Sequence, residues 1–247
     1  MPMNRSFDYI IFAIAMQHRW WYAVDGVARR RIDLQGGRLE PRLLRYIAIE
    51  YSVSRGIPNQ SEYEIAHILN DEVLSWPESL VERANACVKT AELIKDKNLT
   101  YGAQISAVSK FAWFIRPAGW TLYDDLAAAG LGLFSKYNRV DRMKRFYKIL
   151  DEWGFDAHVM RMQVAIEKSG NPELHAARIV DKLLMLHGMK DDAREYEIDT
   201  AKAYLDLLPE QTRSSLQILP RQLWESSLEN LDAVRKGIRQ SNPCGSG

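Results

Sequence analysis

Lys110 is the residue whose surroundings point most directly to chemistry. Between Tyr101 and Ile115 the chain reads YGAQISAVSKFAWFI, and Lys110 is the one charged residue of this run. Every face of a helix drawn through the run carries small or apolar side chains, which is typical of a buried helix. Because burial without a partner lowers the pKa of a lysine amine, a buried Lys110 could be a neutral nucleophile.

Lys110 also has structural interpretations, which the sequence leaves open. A lysine often lays its methylene stem along apolar surface and brings its ammonium group to water. A buried lysine can instead form an ion pair with a carboxylate, and such a pair is a structural feature.

Two acidic residues follow after a turn. Pro117 ends the apolar helix, and Thr121 can cap a new helix whose first turn holds Asp124 and Asp125. The helix dipole favours acidic residues at such a position, so the pair has a structural explanation as well. A hairpin of two helices could nevertheless bring Lys110 and one of these carboxylates together.

The charge of the chain is unevenly distributed although its total is small. Thirty-three Lys and Arg against thirty-two Asp and Glu give a net charge of +1, so the total predicts no polyanionic partner. Between Lys110 and Lys148, however, basic residues outnumber acidic ones, and seven of them are candidate DNA contacts: Arg116, Lys136, Arg139, Arg142, Lys144, Arg145 and Lys148. Within 140–150 the apolar residues share one helical face, so the basic ones could hold a phosphate backbone. A solvated charged face is the alternative.

The rest of the chain predicts an all-α fold. Apolar residues recur at steps of three and four over most of its length, which indicates roughly ten to twelve helices. Ser61 to Glu64 forms a capping box, and Gly170 ends one helix before Asn171 caps the next. We expect a single compact domain over residues 1–240, with a subdivision near residue 60 as the alternative, and a flexible tail over 241–247.

Several classes of protein are excluded by missing motifs. The five histidines form no HxxxH pair and the two cysteines no CxxC pair, so neither a metal site nor a cofactor is expected. The apolar run over 9–16 is too short to span a membrane and lacks the cleavage site of a secretory signal. Together with the low cysteine content, this predicts a cytoplasmic protein that makes no membrane contact.

The stretch 106–131 resembles 8-oxoguanine DNA glycosylase-like proteins, distant members of the helix-hairpin-helix DNA glycosylase superfamily. The residues that carry the resemblance are Ser109 with Lys110, then Phe114, Pro117, and Tyr123 with Asp124. It implies a compact helix-hairpin-helix glycosylase-like fold and a lysine that attacks the sugar C1′ to form a Schiff base. Transferred to this chain, Lys110 would be the nucleophile and Asp124 the supporting acid, with Asp125 as its substitute.

Two functions follow from these observations. The first is a DNA glycosylase or AP lyase of DNA repair that extrudes a nucleotide of double-stranded DNA into an apolar pocket. Its pocket residues would be Trp113, Phe114, Trp120 and Tyr123. The second is a non-catalytic α-helical binding or regulatory protein with a protein partner, for example in a bacterial defence or toxin–antitoxin system. In that case Lys110 and Asp124 would form a structural ion pair.

Overall fold

A computed structural model describes residues 3–134 and 138–241, with side chains over 6–134 and 138–238. Within these ranges the chain forms thirteen α-helices and no β-strand, which confirms the predicted all-α class. The helices are α1 (Met3–Trp20), α2 (Gly26–Leu34), α3 (Pro41–Glu50), α4 (Glu62–Val73), α5 (Leu80–Asp96), α6 (Ile105–Ile115), α7 (Asp125–Gly130), α8 (Arg139–Trp153), α9 (Phe155–Lys168), α10 (Ala176–Gly188), α11 (Asp191–Asp206), α12 (Glu210–Leu223) and α13 (Glu229–Ser241). Two π-helical segments, Trp21–Asp25 and Trp224–Leu228, and a 3-10 turn, Ser54–Gly56, complete the described elements.

The chain divides into two compact units. Unit 1 contains the described residues of Met1–Arg19 and Asp124–Gly247, and unit 2 is Trp20–Tyr123. Residue 60, near which the alternative placed a subdivision, lies inside unit 2. The single domain over 1–240 stays a prediction. Residues 242–247 of the expected tail lie outside the described ranges.

In unit 2, α6 is the central helix. Four helices of the unit contact it: α2, α3, α4 and α5. Ten of its eleven residues are buried, which confirms the prediction of a buried helix from its apolar faces. Burying all faces of one helix removes a large apolar area from water and gives this unit its core.

The structure agrees with some of the predicted helix starts and ends and contradicts others. α4 begins at Glu62 after Ser61, as predicted, but the Ser61 side chain forms no capping hydrogen bond, so the capping box is wrong. Gly170 has the left-handed φ of +79° expected after α9. Thr121 does not cap the next helix: α7 begins at Asp125, and Asp124 is its N-cap. Asn171 does not cap α10 either. Its amide donates to the Ser169 carbonyl and hydroxyl, and α10 begins at Ala176 after His175.

In unit 1, the backbones of α7 and α10 approach each other closely. A Cβ atom built on Gly130 would lie 2.0 Å from the carbonyl oxygen of Leu184. One built on Gly188 would lie 2.0 Å from the carbonyl oxygen of Leu126. These two positions accept no side chain without displacement of a helix, so glycine there is what permits the close approach.

Candidate functional site

Lys110 lies on α6 and is buried, with 5% of its surface exposed. Its Nζ atom donates a hydrogen bond to the Ser106 hydroxyl at 2.7 Å. It donates a second to the carbonyl oxygen of Tyr123 at 3.2 Å. Ser106 is one helical turn before Lys110, so the lysine side chain runs back along its own helix, the direction that helical side chains favour. Both of these acceptors are neutral oxygen atoms of unit 2.

The segment over 120–123 is bound to α6 by hydrogen bonds. Ser106 donates its hydroxyl proton to the Tyr123 carbonyl at 3.0 Å, and the Tyr123 N–H donates to Ser109 Oγ at 3.2 Å. At the other end, the indole N–H of Trp120 donates to the Ser109 carbonyl at 2.9 Å. Because this segment is not helical, its backbone groups need such partners when they are buried. Lys110 belongs to the network that supplies them.

Two arginines fix the turn that precedes this segment. Arg83 is 1% exposed, donates to the Ala118 carbonyl at 2.5 Å, and lies 5.6 Å over the Trp120 ring. Arg116, a candidate DNA contact, donates to the Trp76 carbonyl at 2.6 Å and pairs with Glu78. The guanidinium of Arg116 is thus engaged within unit 2.

Asp124 and Asp125 lie in unit 1, where both have local partners. The Asp124 carboxylate accepts a hydrogen bond from the Ala127 N–H at 2.7 Å, the bond of an N-cap residue. The Asp125 carboxylate is 62% exposed and forms an ion pair with Arg142 at 3.1 Å. Arg142 also donates to the Asp125 carbonyl at 2.7 Å. These contacts are those of a helix N-terminus.

The four aromatic residues predicted to line a pocket are core residues. Trp113, Phe114, Trp120 and Tyr123 are each at most 1% exposed. Trp113 packs edge-on against Phe114, with ring centroids 5.0 Å apart. Three of the cavities in the described ranges are lined by other residues, with neither these four aromatic residues nor Lys110 among them. Their contacts fill space in the way that hydrophobic cores are filled.

The helix α8 is amphipathic, as predicted. Met143, Tyr147 and Leu150 are buried, whereas the basic residues Lys144, Arg145 and Lys148 are exposed. Spacings of three and four residues, however, place acidic residues on the same outer face. They are Asp141, Asp151 and Glu152.

The outer face of α8 is therefore mixed in charge. Three acidic side chains accompany its three basic ones, and Lys148 lies 3.8 Å from Glu152. Arg139 is exposed in the first turn of the helix. Lys136 lies outside the described residues. Two of these three acidic residues follow Lys148. A count of charges from Lys110 to Lys148 leaves them out and therefore makes the helix appear more basic than its outer face is.

A second buried charged cluster was missed by the sequence analysis. In α10, Arg178, Asp181 and Lys182 are at most 4% exposed, and Arg178 forms an ion pair with Asp181. The signal that identified Lys110 was present here too, because these residues interrupt an otherwise apolar run over 176–186. Their spacing of three and four residues also allows contact within one helix.

Other classes of site find little support in the described ranges. No group of three or more His, Cys, Asp or Glu residues there could hold a metal ion. No described helix is long and apolar enough to cross a membrane. Cys87 is a free, buried thiol, and burial raises its pKa, which makes it unreactive. Cys244 lies outside the described residues.

Comparison with protein-family models gives no match, and searches of curated proteins and of solved structures give none either. The resemblance to 8-oxoguanine DNA glycosylase-like proteins therefore stays a prediction.

Proposed function

We propose that this chain is a non-catalytic α-helical binding protein. The observation that carries the proposal is the engagement of the Lys110 amine by the Ser106 hydroxyl and the Tyr123 carbonyl. A nucleophilic lysine needs a path from its amine to the electrophile. Lys110 is 5% exposed, and its amine donates two hydrogen bonds inside a network that binds 120–123 to α6.

The surrounding residues support the same conclusion. The Asp124 carboxylate caps α7 through the Ala127 N–H, a role that needs no substrate. Trp113 and Trp120 are at most 1% exposed, so a base could stack on them only after the core had opened. An extruded nucleotide requires a preformed pocket for its base.

The surface of α8 favours a protein partner or solvent over a phosphate backbone. Affinity for DNA grows with the number of phosphates neutralised by Lys and Arg. Three carboxylates accompany the three basic side chains of this face, so its net charge is close to zero. Mixed charge of this kind is ordinary for a solvated helix or for the rim of a protein interface.

Borohydride trapping on a duplex that contains an abasic site tests the proposal. The experiment compares the wild-type chain with Lys110→Gln and with Lys89→Gln, which changes an exposed lysine of α5. We expect no covalent adduct with any of the three. An adduct of the wild type and of Lys89→Gln that is lost in Lys110→Gln would overturn the proposal and establish Schiff-base chemistry.

The DNA glycosylase or AP lyase hypothesis stays a prediction, and the burial of Lys110 is the feature that agrees with it. A glycosylase without lyase activity would release a base and leave no adduct. Base release is therefore measured on a panel of lesion-containing duplexes, with Asp124→Asn as the variant. Release by the wild type that Asp124→Asn abolishes would support the glycosylase and contradict the binding protein.

A further inference from the structure

The outer face of α2 carries both apolar and basic side chains. Val27 is 39% exposed and Leu34 is 84% exposed. Arg30 and Arg31 lie between them and are exposed as well. Spacings of three and four residues put these four side chains on one face, which we call the α2 stripe. Leu34 leaves almost its whole side chain in water, and together with Val27 it forms the apolar part of the stripe.

An open groove of about 370 Å³ lies in the same unit, between α4 and α5. Ile68 and Leu93 give it an apolar floor. Three carboxylates and one ammonium group lie along it: Glu64, Asp71, Glu72 and Lys97. Its chemistry is thus the complement of the α2 stripe, with apolar side chains in both and opposite charges around them.

The charges of the two surfaces differ in how far they are already neutralised. Asp71 contacts His67 at 2.7 Å and Arg38 at 3.5 Å. Over 3–134 and 138–241, the carboxylates of Glu64 and Glu72 form no ion pair. Arg30 is likewise without an ion pair there, and its Nε atom donates to the Gly26 carbonyl at 3.2 Å, whereas Arg31 lies 4.0 Å from Glu40. Unneutralised charges of opposite sign therefore stand on the groove and on the stripe.

The stripe and the groove are neighbours on one surface. Gln35 directly follows α2 and lines a hollow of about 360 Å³ together with Tyr63 and His67. His67 also lines the groove on the other side of α4. Tyr63 is 71% exposed, so an aromatic side chain projects between the two complementary surfaces. Exposed tyrosines are enriched at protein interfaces.

We propose that this surface binds a second copy of the same chain. The α2 stripe of one protomer lies in the α4–α5 groove of the other, and the reverse contact forms at the same time. This arrangement has two-fold symmetry, so each complementary pair of surfaces is used twice. Arg30 and Arg31 face Glu64 and Glu72 across the interface, and Leu34 contacts the apolar floor. The proposal is independent of the role of Lys110.

Sedimentation velocity over micromolar protein concentrations tests the dimer with two charge-reversal variants. The groove variant is Glu64→Arg with Glu72→Arg, and the stripe variant is Arg30→Glu with Arg31→Glu. We expect a wild-type dimer and, because reversal replaces attraction by repulsion in both contacts, a dimer weakened by about 10-fold or more in each variant. The control, Glu82→Arg with Glu229→Arg, changes the net charge as the groove variant does, at exposed positions elsewhere, and should dimerise like the wild type.

Mixing the two variants gives the decisive result. The groove of one then attracts the stripe of the other in both contacts, so we expect a heterodimer with close to wild-type affinity. A variant that had misfolded could not form this heterodimer, so its formation would also show that both variants are folded. A monomeric wild type, a mixture that does not dimerise, or a control weakened as much as the groove variant would each overturn the proposal. A wild-type monomer that binds a leucine–lysine helical peptide in the groove would assign the groove to another protein.

Discussion

Helix α6 of unit 2 and helix α10 of unit 1 both bury charge within an apolar run, and the contacts made by that charge differ between them. In unit 2, α6 buries Lys110 beside a hydroxyl and a carbonyl oxygen. In unit 1, α10 buries Arg178 together with the opposite charge of Asp181, one turn away. Both helices have ten buried residues, so their apolar environment is similar.

The difference shows what each helix needs from its neighbours. An ion pair within one helix compensates much of the desolvation of both groups, whereas hydrogen bonds from a buried ammonium group to neutral oxygens depend on dipoles that other segments can supply. For Lys110 one such dipole is the Tyr123 carbonyl, at the end of 120–123. Loss of charge should therefore destabilise α10 directly, whereas changes in α6 should act through that segment.

The largest effect is expected at Asp181. Asp181→Ala removes the carboxylate that pairs with Arg178. Because the buried guanidinium then loses this compensating charge, the free energy of unfolding should fall by about 3–5 kcal/mol. Urea unfolding at neutral pH measures the loss. The matched double variant, Arg178→Met with Asp181→Leu, removes both charges and should be more stable than Asp181→Ala. A double variant less stable than the single one would show that the pair is not what stabilises α10.

A smaller effect is expected at Ser109. Ser109→Ala leaves the buried Tyr123 N–H without its acceptor, which should cost about 1–3 kcal/mol. Ser75→Ala is the control, since Ser75 is exposed and its hydroxyl donates to the Glu72 carbonyl, outside this network. Thermal unfolding of both variants compares them. A loss in Ser109→Ala no larger than in Ser75→Ala would mean that the hydrogen bonds of Ser109 to 120–123 do not contribute to stability.

The smallest effect on stability is expected at Asp124, which lies outside α6 and α10. Asp124→Ala removes an N-cap bond and should lower the stability by about 1 kcal/mol, whereas Asp124→Asn keeps a side-chain acceptor and should lose less. Chemical unfolding of the two variants checks this order. A loss in Asp124→Asn as large as in Asp124→Ala would show that the negative charge, and not the cap, is what the residue contributes.

The sequence predicted the environment of Lys110 but not its partners. An apolar residue type is visible on every face of α6, so burial could be inferred directly. The Ser106 hydroxyl is four residues away and could have been proposed. The Tyr123 carbonyl could not have been proposed, because every residue carries a backbone carbonyl and the sequence does not mark which one lies near Lys110. Its position depends on where α7 begins. The prediction that Thr121 caps this helix was wrong for the same reason.

The charged residues show a second limit of prediction from the sequence. The apolar face of α8 followed from periodicity, but the charge of its outer face depends on Asp151 and Glu152, which lie beyond the counted segment. In α10 the buried cluster was visible as charges in an apolar run and was missed. The complementary surfaces of α2 and of the α4–α5 groove depend on tertiary contacts, which helical periodicity does not encode.

A double-mutant cycle between Lys110 and Ser106 tests the central claim, that the Lys110 amine is a structural donor. Lys110→Met, Ser106→Ala and the double variant are unfolded in urea, with Lys89→Met as the control for an exposed lysine. We expect Lys110→Met to be less stable than the wild type, Lys89→Met to be unchanged, and a coupling energy of at least about 0.5 kcal/mol between the two residues. A Lys110→Met variant as stable as or more stable than the wild type, with no coupling to Ser106, would contradict the account.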